Sequence, residues 1–281
     1  MRRRAIADLS QLSDDALFET ISEGLGHIID NAEMLIADAN LLCDNKRGRG
    51  FRILEGIAEE ECAKFLILLD AIRCPRQPAE RFSRQLRRFN DHLTKGIYAN
   101  CCMYRPRTLG ELVEYIGSDC ETLYLDGPND VDWMFDNEVL RRRETTMYVD
   151  YVENEGEHTW WLPAEDPAPW RIGDFKPVCR IVRALWSVGV SSPQALKVIA
   201  EVWRAREMGL ETTWTELRGL NRATLEALEG KGLLSAQPST RYGMVVDEWT
   251  FPLYSIAIDL VKVDPNDLRE ARERQYQWLW Y

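Results

Sequence analysis

Apolar residues recur every three or four positions through most of the first hundred residues, which is the spacing of amphipathic α-helices. One apolar stripe covers residues 17–42, with Ser13 in the position of an N-cap and two glycines at 48–50 interrupting the chain afterwards. A second stripe covers residues 54–72 and ends before a proline, and a third, opened by another proline, covers residues 82–97. Three helices with short connections predict an antiparallel bundle.

The pattern changes after residue 108. Thr108 and Glu111 have the spacing of a capping box and predict a fourth helix. Residues 147–162 alternate between apolar and polar on either side of an Asn-Glu-Gly turn, which predicts a β-hairpin. The predicted fold is therefore mainly α, with a β-hairpin insertion. The aromatic residues of this hairpin are Tyr148, Tyr151, Trp160 and Trp161. They either stack on nucleobases or cover the bundle or a second copy of the chain.

A proline-rich segment, residues 164–177, is typical of a linker. It separates a first domain, residues 1–163, from a smaller helical C-terminal domain, residues 178–281. In the latter, two helices followed by strand-like residues 239–253 resemble a winged-helix module. If that module bound DNA, the residues that begin its recognition helix would be Arg218, Asn221 and Arg222. Neighbouring glutamates favour protein interaction or dimerisation instead.

The net charge and its distribution limit the kinds of molecule that the chain can bind. The chain has 281 residues, 45% of them apolar, and a net charge of -11, which disfavours non-specific coating of nucleic acid. The charges are uneven, since residues 71–107 hold nine basic and two acidic side chains, whereas residues 108–158 hold fourteen acidic and three basic ones. The basic region either steers an anion to one place or pairs with the acidic segment of the same chain.

Other classes are disfavoured by composition. No apolar run approaches the roughly 20 residues of a membrane span, and no signal-peptide pattern follows the first basic residues, so a cytoplasmic protein without membrane contact is expected. Seven cysteines without a CxxC pair predict reduced, buried thiols. The histidines, His27, His92 and His158, are scattered, so no metal or other cofactor is expected.

The second predicted helix carries Glu60, Glu61 and Lys64 within an otherwise apolar segment. Glu61 shares the apolar stripe, and Glu60 and Lys64 have the i,i+4 spacing of an ion pair. In a structural interpretation, Glu61 pairs with Asn31, with a protonated Asp38 or with an arginine of the third helix. In a functional interpretation, these groups face a cleft between helices or between two copies of the chain and orient a catalytic side chain.

Three strings of the sequence carry a family resemblance: NAEMLIADANLLCDN, GFRILEGIAEEECAKFLILL and NDHLTKGI. In this order they resemble the AbiV family of abortive-infection proteins, which belong to the HEPN-like helical bundles. The family pattern has an Asn-Ala and an Asp-Ala, a Glu-Glu-x-Gly-Lys box and a His-x-x-Lys pair. The matching polar residues are Asn31, Asp38, Glu60, Glu61, Lys64, His92 and Lys95. Ala63 replaces the usual glycine, and RETTMYVDY, which begins at Arg143, is similar to a later family segment.

The resemblance implies phage defence through growth arrest or translational shutdown. Many HEPN domains are metal-independent ribonucleases that act as dimers through an Arg-x(4 to 6)-His motif. Arg87 and His92 have that spacing, with Asn90 and Asp91 between them. Such a His transfers protons at the 2′-hydroxyl or 5′-oxygen, and such an Arg stabilises the phosphorane charge.

Helical geometry does not decide whether Arg87 or Arg88 acts with His92. On a continuous helix Arg87 and His92 point apart, whereas Arg88 and His92 share a face at i,i+4. Either the helix is irregular there, or Arg88 is the partner of His92, or the match is accidental. His27 and His158 are not expected to be catalytic.

Two functions follow from the sequence. In the first, the chain is a ribonuclease that acts on RNA at a cleft formed by a homodimer. In the second, it is a non-enzymatic defence protein that binds a phage-encoded activator or a component of translation.

Overall fold

The computed structural model describes residues 5–122, 124–125, 133–134, 136–154, 157–163, 176–264, 266–267, 269–270 and 273–274. In chain order, the α-helices are α1 (Asp14–Asp44), α2 (Gly48–Arg73), α3 (Ala79–Arg87), α4 (His92–Cys101), α5 (Leu109–Cys120), α6 (Glu138–Met147), α7 (Pro177–Val188), α8 (Pro193–Trp203), α9 (Trp214–Gly230) and α10 (Ser239–Glu248). Short 3-10 helices cover Ile6–Gln11 and Arg88–Asn90. The prediction of a mainly α fold is confirmed.

Two antiparallel strand pairs complete the described elements. Strands β1 (Tyr124–Leu125) and β2 (Trp133–Met134) form one pair, and β3 (Asp150–Asn154) and β4 (Glu157–Trp161) form the other. In the second pair Tyr151 lies opposite Trp160. The predicted β-hairpin is therefore confirmed.

The long helices α1 and α2 pack along each other and form the centre of the bundle. Ser13 caps α1 as predicted, since its hydroxyl accepts a hydrogen bond from the Ala16 backbone N–H. The expectation that glycines 48–50 interrupt the chain is wrong, because α2 begins at Gly48. A Cβ atom at Gly50 would lie 2.9 Å from Leu42 Cδ1, so glycine permits the close approach of the two helices after their connection.

The third predicted helix is broken rather than continuous. It ends at Arg87, passes through a 3-10 turn, and restarts as α4 at His92. Asp91 causes the restart, because its carboxylate accepts a hydrogen bond from the Thr94 backbone N–H at 2.7 Å and caps the new helix. Of the alternatives open from the sequence, the irregular helix is the one that the structure contains.

The predicted helix after residue 108 is α5. Thr108 caps it through the Glu111 backbone N–H at 3.2 Å. The second bond of the expected capping box is displaced, because the Glu111 carboxylate accepts from the backbone N–H of Arg107 at 2.7 Å. The helix ends at Cys120, before the first short strand.

Helices from the C-terminal part of the chain pack against the N-terminal bundle. Most buried apolar side chains of α1 to α5 and those between Val178 and Ile256 form one contiguous hydrophobic core. Ala39, Cys43 and Phe51 form a second, smaller cluster near the connection of α1 and α2. Ion pairs connect the same parts, with Arg183 Nε 2.5 Å from Glu33 Oε1. The predicted domain boundaries stay a prediction, and most of the proposed linker, at 164–175, lies outside the described residues, as do residues 275–281.

The strand-like residues expected to form a wing are helical, because α10 covers Ser239–Glu248. Asn221 is buried on α9, where its Nδ2 donates to the carbonyls of Val246 at 3.1 Å and Trp249 at 2.9 Å. Arg218 pairs with Asp247. The recognition-helix interpretation is therefore wrong for Asn221, since its amide holds α10 and the residue after it in place.

A buried ion pair joins the end of α2 to the C-terminal part of the chain. Arg73 Nε lies 2.9 Å from Asp70 Oδ1, and both side chains are almost fully buried. The Arg73 guanidinium lies 4.6 Å from the ring centroid of Trp203 and 4.5 Å from that of Trp249. It also donates to the carbonyl of Thr250 at 3.1 Å.

Hydrogen bonds extend this network to the other helices. Asp70 Oδ2 accepts from the Tyr98 hydroxyl and from the Leu253 backbone N–H, both at 2.7 Å. Gln85 donates to the Tyr98 hydroxyl, and Arg88 donates to Gln85 Oε1 at 2.9 Å and to the Leu253 carbonyl at 2.7 Å. Desolvation and the nearby Asp70 charge raise the pKa of Tyr98, which keeps its hydroxyl protonated as a donor.

Two predictions from composition concern the cysteines and membrane-spanning helices. All seven cysteines are buried, as expected for structural thiols. Among the described helices, none combines the length and apolar character needed to span a lipid bilayer.

Replacing Arg73 with alanine is expected to destabilise the protein strongly, because it leaves the Asp70 carboxylate buried without its cation. Loss of one partner of a buried pair typically costs about 3–5 kcal/mol. Urea unfolding of the full chain measures the change in the free energy of unfolding.

The matched control is Arg218→Ala, which removes the exposed ion pair with Asp247. Its cost is expected to be below about 1 kcal/mol. Similar losses of unfolding free energy in the two variants would show that the buried pair stabilises the protein no more than the exposed pair does.

Candidate functional site

A cavity of about 490 Å³ lies where α2, α4 and α6 meet. Its charged groups include Glu60 from α2, His92 and Lys95 from α4, and Arg143 from α6. The cavity therefore collects residues that are far apart in the sequence, and it has the size of a small-molecule site.

Glu60 is the centre of this group of charges. Its carboxylate accepts a hydrogen bond from the almost fully buried Lys95 ammonium. His92 Nδ1 lies 3.0 Å from Glu60 Oε2 and 3.1 Å from Oε1, and Arg143 Nε lies 3.5 Å from Oε1. The Glu60 carboxylate thus faces two basic side chains and one titratable ring, so the basic groups around it outnumber the acidic one and favour an anion.

The same contacts shift two pKa values. Desolvation acts to raise the pKa of Glu60, but hydrogen bonds and charges from Lys95 and His92 outweigh it and hold the pKa below its ordinary value. Desolvation lowers the pKa of Lys95, and its bond to Glu60 offsets this only in part. Glu60 is therefore ionised at neutral pH and available to orient its neighbours.

The contact with Glu60 favours one tautomer of His92. In that tautomer Nδ1–H donates to the Glu60 carboxylate, and Nε2 carries the lone pair. Lys95 Nζ lies 3.1 Å from the same Nδ1 and competes for that position. The side chain of His92 is 41% exposed, so solvent or a substrate reaches the ring.

The chain matches the sequence profile of the AbiV family of HEPN proteins over residues 20–168, which is more than half of its length. The chain belongs to the AbiV family. This membership places it among the HEPN-type defence proteins of abortive infection. No curated protein and no solved structure shows significant similarity to the chain.

Two of the AbiV motifs meet in the cavity. The Glu-Glu box on α2 supplies Glu60, and the His-x-x-Lys pair at the start of α4 supplies His92 and Lys95. The expected pairing of Glu60 with Lys64 is wrong, because Lys64 bonds to Glu61 and lies 5.3 Å from the Phe89 ring centroid. Glu60 is turned toward α4 instead, where it meets a buried cation.

The other AbiV motif lies away from this site. Asn31 and Asp38 are exposed on α1, whereas the neighbouring Ala32 and Ala39 are buried. The expected contacts of Glu61 with Asn31 or Asp38 are therefore not found, since its partner is Lys64. The motif places the small alanine side chains in the interior and the polar ones in solvent.

The predicted Arg-x(4)-His residues are divided between different environments. Arg87 is exposed, and its Nη1 donates to Ser83 at 3.2 Å. Arg88 is buried and bonded to backbone carbonyls beyond α10. Asn90 ends the 3-10 turn, and Asp91 caps α4 directly before His92. The broken helix removes the expected shared face of Arg88 and His92.

The apolar and polar pattern of residues 138–147 does not predict α6 or its contribution to the site. Arg143 reaches Glu60 from this helix, and its only sequence signal was the similarity of RETTMYVDY to a later AbiV segment. Glu55 of α2 also lines the cavity, and no motif in the sequence distinguishes it. Lys176, from the predicted linker, lies 3.0 Å from Glu59 at the cavity wall.

The position of α6 depends on Gly96 of α4. A Cβ atom at Gly96 would lie 2.1 Å from Val139 Cγ1, so the two helices touch where glycine has no side chain. This contact holds α6, and with it Arg143, against the cluster around Glu60.

Gly96→Ala is expected to destabilise the protein by about 1–3 kcal/mol, because the new methyl group forces α4 and α6 apart. This overrides the higher helix propensity of alanine. Chemical denaturation measures the effect, and a second change, Val139→Ala, is expected to restore part of the loss.

Gly117→Ala on α5 is the control, because nothing lies within 4 Å of its added Cβ atom. That change is expected to stabilise the helix by roughly 0.5–1 kcal/mol. A stabilising effect of Gly96→Ala as well would disprove the close contact.

Proposed function

We propose that this AbiV-family protein is a metal-independent ribonuclease of the cytoplasm that arrests growth or translation during phage infection. The observation that supports this most directly is the contact of His92 with Glu60 in a cavity that also holds Lys95 and Arg143. An oriented histidine and adjacent cations are the groups that metal-free phosphoryl transfer requires.

In the proposed reaction, Nε2 of His92 takes the proton of a ribose 2′-hydroxyl, and the 2′-oxygen attacks the adjacent phosphorus. The bond from phosphorus to the 5′-oxygen then breaks, which leaves a 2′,3′-cyclic phosphate and a 5′-hydroxyl. Lys95 and Arg143 stabilise the negative charge that develops on the phosphorane. Glu60 acts as a positioning residue, since it fixes the ring of His92.

The leaving 5′-oxygen also needs a proton. We propose a homodimer in which the His92 of a second copy, in its imidazolium form, donates its Nε2 proton to the 5′-oxygen, so that two cavities form one cleft. The arginine of the site is then Arg143 rather than Arg87 or Arg88, because Arg143 lines the cavity and contacts Glu60.

A second candidate function rests on the hairpin. Tyr151 and Trp160 are 55% and 65% exposed, and their ring centroids lie 5.1 Å apart on one face of β3 and β4. Trp161 instead turns toward α6, where its Nε1 lies 3.3 Å from the Thr145 carbonyl. The exposed face favours a non-enzymatic defence protein that binds a phage-encoded activator or a translation component.

His92→Ala is expected to lower cleavage of total cellular RNA by about 100-fold or more, because it removes the proton-transfer group. Purified full-length protein is assayed with EDTA present, and toxicity is scored in cells that express the same variant. His27→Ala is the control, because His27 is exposed on α1.

Undiminished cleavage by a well-folded His92→Ala protein would refute the catalytic assignment. If wild-type protein cleaves nothing while cells still arrest, the non-enzymatic function is favoured.

The double change Tyr151→Ala and Trp160→Ala separates the two functions. If the hairpin binds a protein partner, toxicity is lost while the melting temperature and RNA cleavage stay unchanged, because both rings are exposed. Met34→Ala, which removes an equally exposed apolar side chain on α1, is the control. Full toxicity of the double variant would argue against the second candidate.

A further inference from the structure

The charged groups of the cavity are poorly accessible while α6 is in place. The side chain of Lys95 is 5% exposed and that of Glu60 is 21% exposed. Both line the space that α6 encloses together with α2 and α4. In the proposed reaction a phosphodiester of a long polymer has to contact Lys95, and a polymer needs a wider opening than a small free ligand does. The attachment of α6 therefore decides how such a substrate enters.

The N-terminal end of α6 is attached to the bundle by buried groups. The buried Asn137 side chain accepts a hydrogen bond from the Leu140 backbone N–H at 3.1 Å and caps the helix. Its Nδ2 donates to the carbonyls of Asp119 and Glu121 at the end of α5, both at 2.8 Å. Val139, which packs against α4, lies in the same turn. These contacts fix the N-terminal end of α6.

The C-terminal end of α6 is held by an exposed side chain of α2. Arg49 Nη2 donates to the carbonyl of Met147 at 3.0 Å, and its Nε donates to that of Thr146 at 3.3 Å. These are the last carbonyls of α6, which have no partner within the helix, and the helix dipole favours a cation there. Because these bonds are exposed to water, they are weaker than the buried bonds of Asn137.

Between its two ends α6 is only partly buried. None of its residues, 138–147, belongs to the buried core. Arg143 pairs with Glu60 at 3.5 Å, but its side chain is 42% exposed, so water screens this pair. Trp161 attaches the hairpin to α6 through the Thr145 carbonyl, so the two are expected to move together. Segments with few buried apolar contacts are the ones that open locally at low free energy.

We infer that α6 is a lid over the cavity, which turns about its Asn137 end and is held closed by Arg49. Opening separates the last turn of α6 from the first turns of α2, where Met147 and Arg52 line the cavity. It makes Lys95 accessible to an RNA strand, and closure then excludes water from the reacting groups. The inference rests on the proposed function in naming RNA as the molecule that enters.

Thiol labelling of the full-length protein tests the lid without RNA. Ala99 lines the cavity from α4 and is 9% exposed, so Ala99→Cys places a thiol there. The seven native cysteines are buried and serve as internal references for global unfolding. Iodoacetamide is the probe, and tandem mass spectrometry measures the labelling rate at each cysteine under native conditions.

Arg49→Ala, added to Ala99→Cys, is expected to raise the labelling rate at position 99 by about 5-fold or more, because local opening becomes more frequent. The native cysteines are expected to keep their rates. Arg49→Lys, which retains a cation with N–H donors, is expected to restore slow labelling in part. Arg47→Ala, which changes an exposed arginine two residues earlier, is the control and is expected to leave the rate unchanged.

An unchanged rate at position 99 in the Arg49→Ala protein would overturn the inference. An equal rise in the Arg47→Ala protein would do the same, as would an equal rise at the native cysteines, which reports global unfolding. Because the assay contains no RNA, a failure of the ribonuclease proposal does not affect its result.

Discussion

The buried ion pair of Asp70 and Arg73 is the constraint on which the rest of the structure depends. A charge away from water is tolerated only when its partners are in place, and here the partners come from elements far apart in the sequence. Trp203 and Trp249 enclose the guanidinium, and Leu253 donates its backbone N–H to the carboxylate. A shift of α2 along its neighbours would leave several of these groups unpaired, so the pair fixes the register of the helix whose other end forms the cavity.

The same reasoning explains why a largely apolar helix carries so much charge. Three acids of α2 have partners on other elements: Glu59 pairs with Lys176 before α7, Glu60 with Lys95 of α4, and Asp70 accepts from Tyr98 of α4 and from Leu253 after α10. Glu61 instead pairs with Lys64 of the same helix. Most of these charges therefore mark contacts of α2 with distant parts of the chain. Glu55 differs, because desolvation raises its pKa and its Oε1 accepts no hydrogen bond from the residues that the structure describes.

The spacing of apolar residues predicted those helices and strands that are stabilised mainly by residues near in the sequence. The stripes of α1 and α2, the Ser13 cap and the alternation of the hairpin are all visible in the sequence, because helical and strand periodicity depend on near neighbours. The break at Asp91 was only one of three alternatives from the sequence, since capping by its side chain competes with a continuous apolar stripe. Residues 239–248 look strand-like, yet they are helical where Asn221 binds the carbonyls at the end of α10. Tertiary contacts therefore decide both cases.

The residues of the candidate site were likewise only partly predictable from the sequence. The resemblance to AbiV selected seven polar residues, of which Glu60, His92 and Lys95 line the cavity. Arg143, in contrast, comes from a short, charged helix whose position depends on the contact of Gly96 with Val139.

Net charge is a poor guide to such a site. With a net charge of -11, the protein gains little from non-specific attraction to phosphates. Exposed charges farther away than about 8 Å are largely screened at physiological ionic strength, so the local excess of cations around Glu60 acts at short range. In the proposed ribonuclease, these cations therefore act on a phosphate only after it has entered the cavity. Selectivity must then come from contacts inside the cavity, where the proposed reaction also takes place.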